Sequence, residues 1–258
     1  MTYSSKNLNK TIPFFSIITI TYNSERYLKD CIESLKAQTF KNIEHILVDS
    51  NSTDNTLKII EDYINEKNDY KIYLIKNSNS GIYDSINLGI SHTSGAYIGL
   101  LHSDDFFANN YVLENIYNNL KEFKYDGCYG NIDFVSKNDK NKIIRTWQSS
   151  KFKKYKLYFG WMPPHTSLFL HKSVFERYGL YDVSFKIASD YEFILRIFKK
   201  EELNILFLPI TITRMRLGGM SVNYLTSTLE DCKALIKHNF FPFVPLFFKK
   251  ISKIFQYF

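Results

Sequence analysis

Two adjacent carboxylates, Asp104 and Asp105, follow the apolar stretch Ala96–His102 (AYIGLLH) through a single serine, Ser103. Side by side they repel each other unless a cation or hydrogen-bond donors compensate. Hard divalent cations prefer such oxygen ligands and bridge carboxylates to diphosphates. The alternative is a solvated turn leading into a helix from Asn109. Asp49 ends a second apolar stretch, Ile43–Asp49, where its carboxylate can accept hydrogen bonds from a base or a ribose. Capping the following helix is a task for which Thr53 and Asp54 are better placed. Asp190 opens a helical stretch to Lys200 in which Leu195 and Phe198 face the core, and the helix dipole alone would favour a carboxylate there. His165 and His171 flank an apolar stretch and would share one strand face, but no third ligand accompanies them, so a metal site is not predicted.

What is missing narrows the chemistry. The chain has no G-x-x-x-x-G-K-[ST], no G-x-G-x-x-G and no G-x-S-x-G. P-loop hydrolysis, dinucleotide redox chemistry and nucleophile-elbow hydrolysis are therefore unsupported.

The elements that must hold these residues alternate. Phe15–Tyr22 (FSIITITY) reads as a buried strand. Ser24 then reads as an N-cap, and Leu28, Cys31, Ile32 and Leu35 recur at helical spacing. Strand Ile43–Asp49, helix Thr53–Lys67, strand Lys71–Lys76, a short helix Gly81–Ser91 and strand Ala96–His102 follow. This rhythm predicts βαβ units and a mainly parallel sheet. Such sheets bind ligands at the carboxyl ends of their strands, where Thr21-Tyr22-Asn23, Asp49-Ser50-Asn51-Ser52 and Ser103-Asp104-Asp105 all fall. After about residue 125 the pattern loosens into strands Gly127–Val135, Ile143–Trp147, Thr166–Leu170 and Ile205–Met215, with helices near Lys172–Tyr178 and Asp190–Lys200. No Gly/Ser linker separates the two halves.

Length and composition fit this picture. A chain of 258 residues, 45% hydrophobic and 23% charged, suits one large globular domain or one domain with an appendage. Three widely spaced cysteines form no C-x-x-C pair, so a reducing compartment is expected. The N-terminal residues lack the apolar core of a signal peptide, and a cytoplasmic protein is expected. The net charge of +7 is uneven: after Asp231 come five lysines and no acid, which leaves +2 for residues 1–231 (28 basic minus 26 acidic). A basic stripe across a folded domain, as nucleic-acid binders carry, is not expected.

Seven stretches together resemble the family 2 glycosyltransferases, an inverting group with the GT-A fold. They are Ser16–Tyr27 (SIITITYNSERY), Ile46–Thr56 (ILVDSNSTDNT), Ser80–Ile90 (SGIYDSINLGI), Gly95–Phe106 (GAYIGLLHSDDF), His165–Val174 (HTSLFLHKSV), Ala188–Arg196 (ASDYEFILR) and Arg214–Val222 (RMRLGGMSV). They occur in the order the family shows. The resemblance implies an α/β GT-A fold with helices on both faces of its sheet, divided into a Rossmann-like nucleotide half (14–125) and an acceptor half (126–227). Residues 1–227 would form the catalytic domain, and 228–258 a helical tail.

The resemblance also implies roles. Thr21, Asn23, Glu25 and Asp49 match nucleotide-binding positions, with Asp49 near the uracil, and Asp84 lines the same pocket. Ser103-Asp104-Asp105 matches the metal motif, leaving Asp104 for the ribose and Asp105 for Mn²⁺ or Mg²⁺. Asp190 matches the catalytic base. Its usual glutamate neighbour is Ser189 here, which makes Glu192 the competing candidate. Arg214, with Gly218 and Gly219, falls where the family closes a loop over the diphosphate. His165 and Trp161 fall on the acceptor side.

Residues 240–248 (FFPFVPLFF) are apolar and interrupted by Pro242 and Pro245. From Leu246 a helix would collect Phe247, Phe248, Ile251, Ile254, Phe255 and Phe258 on one face, with Lys249 and Lys253 opposite. Its length reaches only about 20 Å, so it reads as an interfacial element on the inner face of the bacterial inner membrane, with packing on the domain or in a homodimer as alternatives. A membrane-facing tail suggests a lipid-linked acceptor, and the family places such enzymes in O-antigen or surface-polysaccharide synthesis. The specific expectation is β1,3 transfer of glucose or galactose from a UDP-sugar to undecaprenyl-diphosphate GlcNAc. The alternatives are transfer onto lipopolysaccharide core or protein, and a non-catalytic binding subunit.

Overall fold

The computed structural model describes residues 2–4, 12–78, 81–122, 124–200, 202–218 and 224–254. Its first half alternates strands and helices as the apolar periodicity requires: β1 (Thr2–Ser4), β2 (Phe15–Thr21), α1 (Leu28–Lys36), β3 (Ile43–Asp49), α2 (Thr56–Asn65), β4 (Lys71–Lys76), α3 (Ile82–Ser91), β5 (Tyr97–Leu100), β6 (Phe106–Phe107) and α4 (Val112–Leu120). The second half contains β7 (Gly127–Val135), β8 (Ile143–Trp147), a 3-10 helix Lys154–Phe159, a 3-10 turn His165–Ser167, β9 (Phe169–His171), α5 (Lys172–Tyr178), α6 (Ser189–Phe198), β10 (Ile205–Arg216), α7 (Tyr224–Lys237) and α8 (Phe243–Ile254).

One sheet runs through both halves in the order β1-β4-β3-β2-β5-β9-β7-β10-β6, with β8 on β7. β4, β3, β2 and β5 are mutually parallel, as βαβ crossovers demand. Beyond β5 the pairing is mixed: β9 is antiparallel to both β5 and β7, while β10 is parallel to β7. Alternate strand residues feed opposite layers. Ile18, Ile46 and Val48 join a core with α3, α5 and α6. Ile17, Ile43 and Leu47 join another with α1, α2 and α4. The helices therefore cover both faces of the sheet.

Two local expectations change. Ser24 is not the N-cap of α1; its carbonyl accepts from Tyr27 and Leu28 in a turn that delays the helix, and Tyr27 takes the cap position. His165 and His171 do not share a strand. Pro163 and Pro164 direct the chain into the 3-10 turn, β9 starts only at Phe169, and His171 caps α5. Gly219 and residues 255–258 lie outside the described residues. No helix among the described residues is long and apolar enough to cross a membrane.

Candidate active site

The parallel strands β2, β3 and β5 end on one edge, and their polar loops meet there. Thr21 and Asp49 are direct cross-strand partners. Asp49 is only 1% exposed, yet well satisfied: Thr21 Oγ1 donates to it at 2.9 Å, Ser52 Oγ at 2.6 Å and the Ser52 N–H at 3.0 Å. Asn23 adopts a positive φ of 48° and accepts from the Thr53 N–H at 2.9 Å, while Glu25 accepts from the Asn55 N–H and side chain at 3.0 and 2.8 Å. The β2–α1 and β3–α2 loops are thus laced into one platform. Ser24 Oγ lies 2.9 Å from Ser103 Oγ and carries the lacing on to the third loop. Asp84 sits in the first turn of α3, its carboxylate lying over Gly81 where a Cβ would otherwise stand.

Asp105 is as buried as Asp49 but differently furnished. Its Oδ2 has no hydrogen-bond partner. Burial and the neighbouring Asp104 push its pKa well above the usual carboxylate range, against the opposing pull of the Arg216 N–H and guanidinium. Burial also raises Asp104. An uncompensated buried carboxylate beside a second one is what a cation site looks like before the cation is counted. Among the described residues no group of three His, Cys, Asp or Glu side chains converges. The protein would therefore supply one or two carboxylates, the usual share where substrate phosphates complete the shell.

Arg216 holds this loop, a residue the sequence pattern did not single out. Its Nη1 donates to the Asp104 carbonyl at 2.6 Å, its Nη2 pairs with Asp30, and its guanidinium lies 4.7 Å from the centre of Tyr27 and 5.1 Å from that of Phe106. Arg214, two residues earlier on the same side of β10, pairs in register with Phe106, and its Nε stands 3.6 Å from Asp133. The alternation R-M-R was the available signal, since residues i and i+2 share a strand face.

Asp190 stands in the first turn of α6, held from two sides. Tyr83 donates its hydroxyl to Oδ1 at 3.2 Å, and His165 Nδ1 lies 3.2 Å from Oδ2. His165 Nε2 is 3.4 Å from His102 Nε2, and His102 directly precedes the Ser103-Asp104-Asp105 loop. Burial, with His165 beside it, lowers His102 to about 4, so it is a neutral imidazole at pH 7. The His165 and His102 rings therefore lead from Asp190 to the residue before the Ser103-Asp104-Asp105 loop, which His102 joins through the backbone, its carbonyl accepting from the Asp105 N–H at 3.0 Å. Neither Tyr83 nor His102 was singled out by sequence, although Tyr83 sits within the quoted G-I-Y-D.

Glu192 points elsewhere. It is fully buried and accepts from Arg196 at 3.0 Å, from Lys237 at 2.9 Å and from His238 at 2.8 Å. Burial alone would raise it, but His238, Lys237 and Arg196 outweigh that and hold it below its ordinary range. It fixes α6 against α7 and offers no oxygen to a substrate. Glu230 of α7 does similar work, accepting from the N–H groups of Lys186, Ile187 and Ala188 at 2.8–2.9 Å just before α6. Trp161 packs at the core's margin, with ring centres 5.3 Å from Phe152, 5.8 Å from Tyr129 and 5.9 Å from Phe198.

Comparison with known proteins adds a family to this geometry. The family model described as Glycosyl transferase family 2 matches residues 16–183. The glycosyltransferase GlyA of Streptococcus pneumoniae is 34% identical over 116 residues, 45% of this chain; the match spans only 16% of that relative's own length. Among solved structures, S. aureus TarS 1-349 in complex with UDP-GlcNAc aligns with a TM-score of 0.64 at 18% identity, covering 93% of this chain and 71% of that one. The mannosyltransferase PcManGT from Pyrobaculum calidifontis, in complex with GDP-Man and Mn²⁺, aligns with a TM-score of 0.62 at 16% identity, covering 96% and 70%. At those identities the two structures establish a shared GT-A fold.

Proposed function

Since this chain belongs to glycosyl transferase family 2 and is a glycosyltransferase, we propose that it moves a hexosyl group from a UDP-sugar to a lipid-linked saccharide, with inversion at the anomeric carbon. The observation that carries this reading is Asp190, a carboxylate gripped by Tyr83 and His165 and tied through His102 to the Asp104–Asp105 loop. Proton acceptance and diphosphate departure then occur at the two ends of one polar chain.

In this reading the platform of Thr21, Asn23, Glu25, Asp49 and Asp84 receives the uridine, and Asp104 the ribose. Asp105 would hold a divalent cation, Mn²⁺ or Mg²⁺; its partnerless Oδ2 fits that role. When bound, it neutralises the charge that develops on the departing diphosphate. Arg214 supplies further positive charge there. On the acceptor side Asp190 takes the hydroxyl proton as the new C–O bond forms and the bond to the diphosphate breaks on the opposite face. His165 and Tyr83 fix the carboxylate so that attack and departure stay in line. Acceptors related to undecaprenyl-diphosphate GlcNAc, a β1,3 linkage from glucose or galactose, and a role in surface-polysaccharide synthesis complete the proposal. Residues 240–258 would meet the inner face of the membrane.

A donor screen tests it. Thermal shift with Mn²⁺ and UDP-Glc, UDP-Gal, their N-acetyl forms or GDP-Man should show one UDP-hexose raising Tm by about 5 °C at a hundredfold excess over Kd. Stabilisation by GDP-Man alone would overturn the donor assignment.

A further inference from the structure

Two stretches far apart in sequence carry no acid at all. Residues 140–175 hold eight Lys or Arg and no Asp or Glu, and residues 232–258 hold five Lys and none. The fold presses them together. The 3-10 helix Lys154–Phe159 ends at Gly160, whose φ of +70° and lack of a side chain let the Pro245 carbonyl of α8 approach to where a Cβ would stand, 2.2 Å away. Phe159 meets Phe248 edge-on at 5.2 Å, and Phe248 meets Phe247 at 5.5 Å. These rings remain open to solvent: Phe159 is 48% exposed, Tyr158 50%, Phe247 60% and Phe243 74%. An apolar hollow lined by Phe243, Val244, Leu246, Phe247 and Phe248 opens on α8. Beside the rings of the 3-10 helix, Lys151 and Lys153 are exposed.

Resting on the reading that the tail meets the membrane, we infer that the membrane-docking surface is composite: α8 and the segment 151–159 of the catalytic body form one face for an anionic lipid bilayer. Aromatic rings ringed by lysines with no acid among them match the headgroup boundary in both polarity and sign. The composite also orients the site. Gly160 is five residues from His165, which holds Asp190, and Lys249 of α8 stacks 3.9 Å over the ring of Tyr191, the residue after Asp190. Docking both elements would present the acceptor side of the cleft to a saccharide whose lipid remains in the bilayer.

The test is co-sedimentation of the full chain with phosphatidylcholine vesicles, with and without phosphatidylglycerol. Three variants are compared: K151E/K153E/K154E and Y158S/F159S in the body, and F243S/F247S in the tail. Circular dichroism and release of UDP from the donor in water serve as controls for folding. The wild type should bind only the anionic vesicles. Triple charge reversal should cut partition at least about a hundredfold, and each aromatic pair should cut it comparably, with UDP release intact. If the body variants bind like the wild type while the tail variant does not, the composite surface is wrong and the tail alone docks. If all three bind like the wild type, membrane docking by the tail fails as well. If the wild type is a dimer without lipid and these variants make it a monomer, a second copy covers this face and the inference is overturned.

Discussion

The strand-end platform of the first half and the α6–α7–α8 assembly of the second hold their carboxylates by opposite means. In the first, Asp49 receives its donors from Thr21 across one strand pair and from Ser52 three residues on, while Asp105 is left with an oxygen that nothing protein-borne satisfies. In the second, Glu192 and Asp231 are saturated by lysines and a histidine from α7 and α8. Equal burial thus marks different jobs. A buried carboxylate with its cations in place braces helices, whereas one with an unsatisfied oxygen carries a standing desolvation cost. Asp190 falls between the two, only partly buried and contacted by the Tyr83 hydroxyl and the His165 ring.

The sharpest way to break this contrast is to neutralise the two α6 acids separately. Asp190→Asn should lower kcat by roughly a thousandfold, the usual worth of a positioned general base, with Tm nearly unchanged. Glu192→Gln should do the reverse. It leaves His238 and Arg196 facing a neutral amide, while the half-exposed Lys237 keeps Asp182, at about 2 kcal/mol after allowing for solvent, so Tm should fall by roughly 5 °C while kcat of the folded fraction survives. Calorimetry and steady-state rates on both variants decide it.

Much of the first half was legible because its signals are local. Strands β3 and β4 run between the residues that periodicity chose, as α5 does in the second half, and the polar clusters at strand ends mark the edge. The second half hides its logic in distance. Glu192 looks like a spare base until Lys237 and His238, more than forty residues on, are seen against it. Tyr83 reaches Asp190 across 107 residues, and Arg216 reaches Asp30 across 186. The acid-free stretch 140–175 was in plain sequence view, but the near-neutral sum over residues 1–231 conceals it.

Asp105→Asn sharpens the other side of the comparison. Because burial raises the folded-state pKa of Asp105, its charged form weakens the metal-free fold as pH rises through the raised value, and protonation relieves this. Without metal the variant should therefore melt a few degrees above the wild type at pH 8, with the gap closing toward pH 4. Added Mn²⁺ should stabilise the wild type and leave the variant unmoved. A wild type indifferent to Mn²⁺ at pH 8 would remove the cation site.

The mildest change probes the seam between body and tail. Gly160→Ala meets both the positive φ and the Pro245 carbonyl, so α8 should loosen at a cost of about 1–2 kcal/mol. Hydrogen exchange should show faster opening of α8 and unchanged protection of β2 and β3; equal protection of α8 in both proteins would mean that the contact contributes nothing.

The central claim, that Asp190 acts opposite a departing diphosphate, is tested most directly by the anomer first released. Proton NMR can follow hydrolysis of the UDP-α-hexose that the screen selects, with water as acceptor and sampling faster than mutarotation. The account predicts the β-hexose first, and no release from Asp190→Asn. The α-hexose first, or Asp190→Asn within tenfold of the wild type, would contradict it.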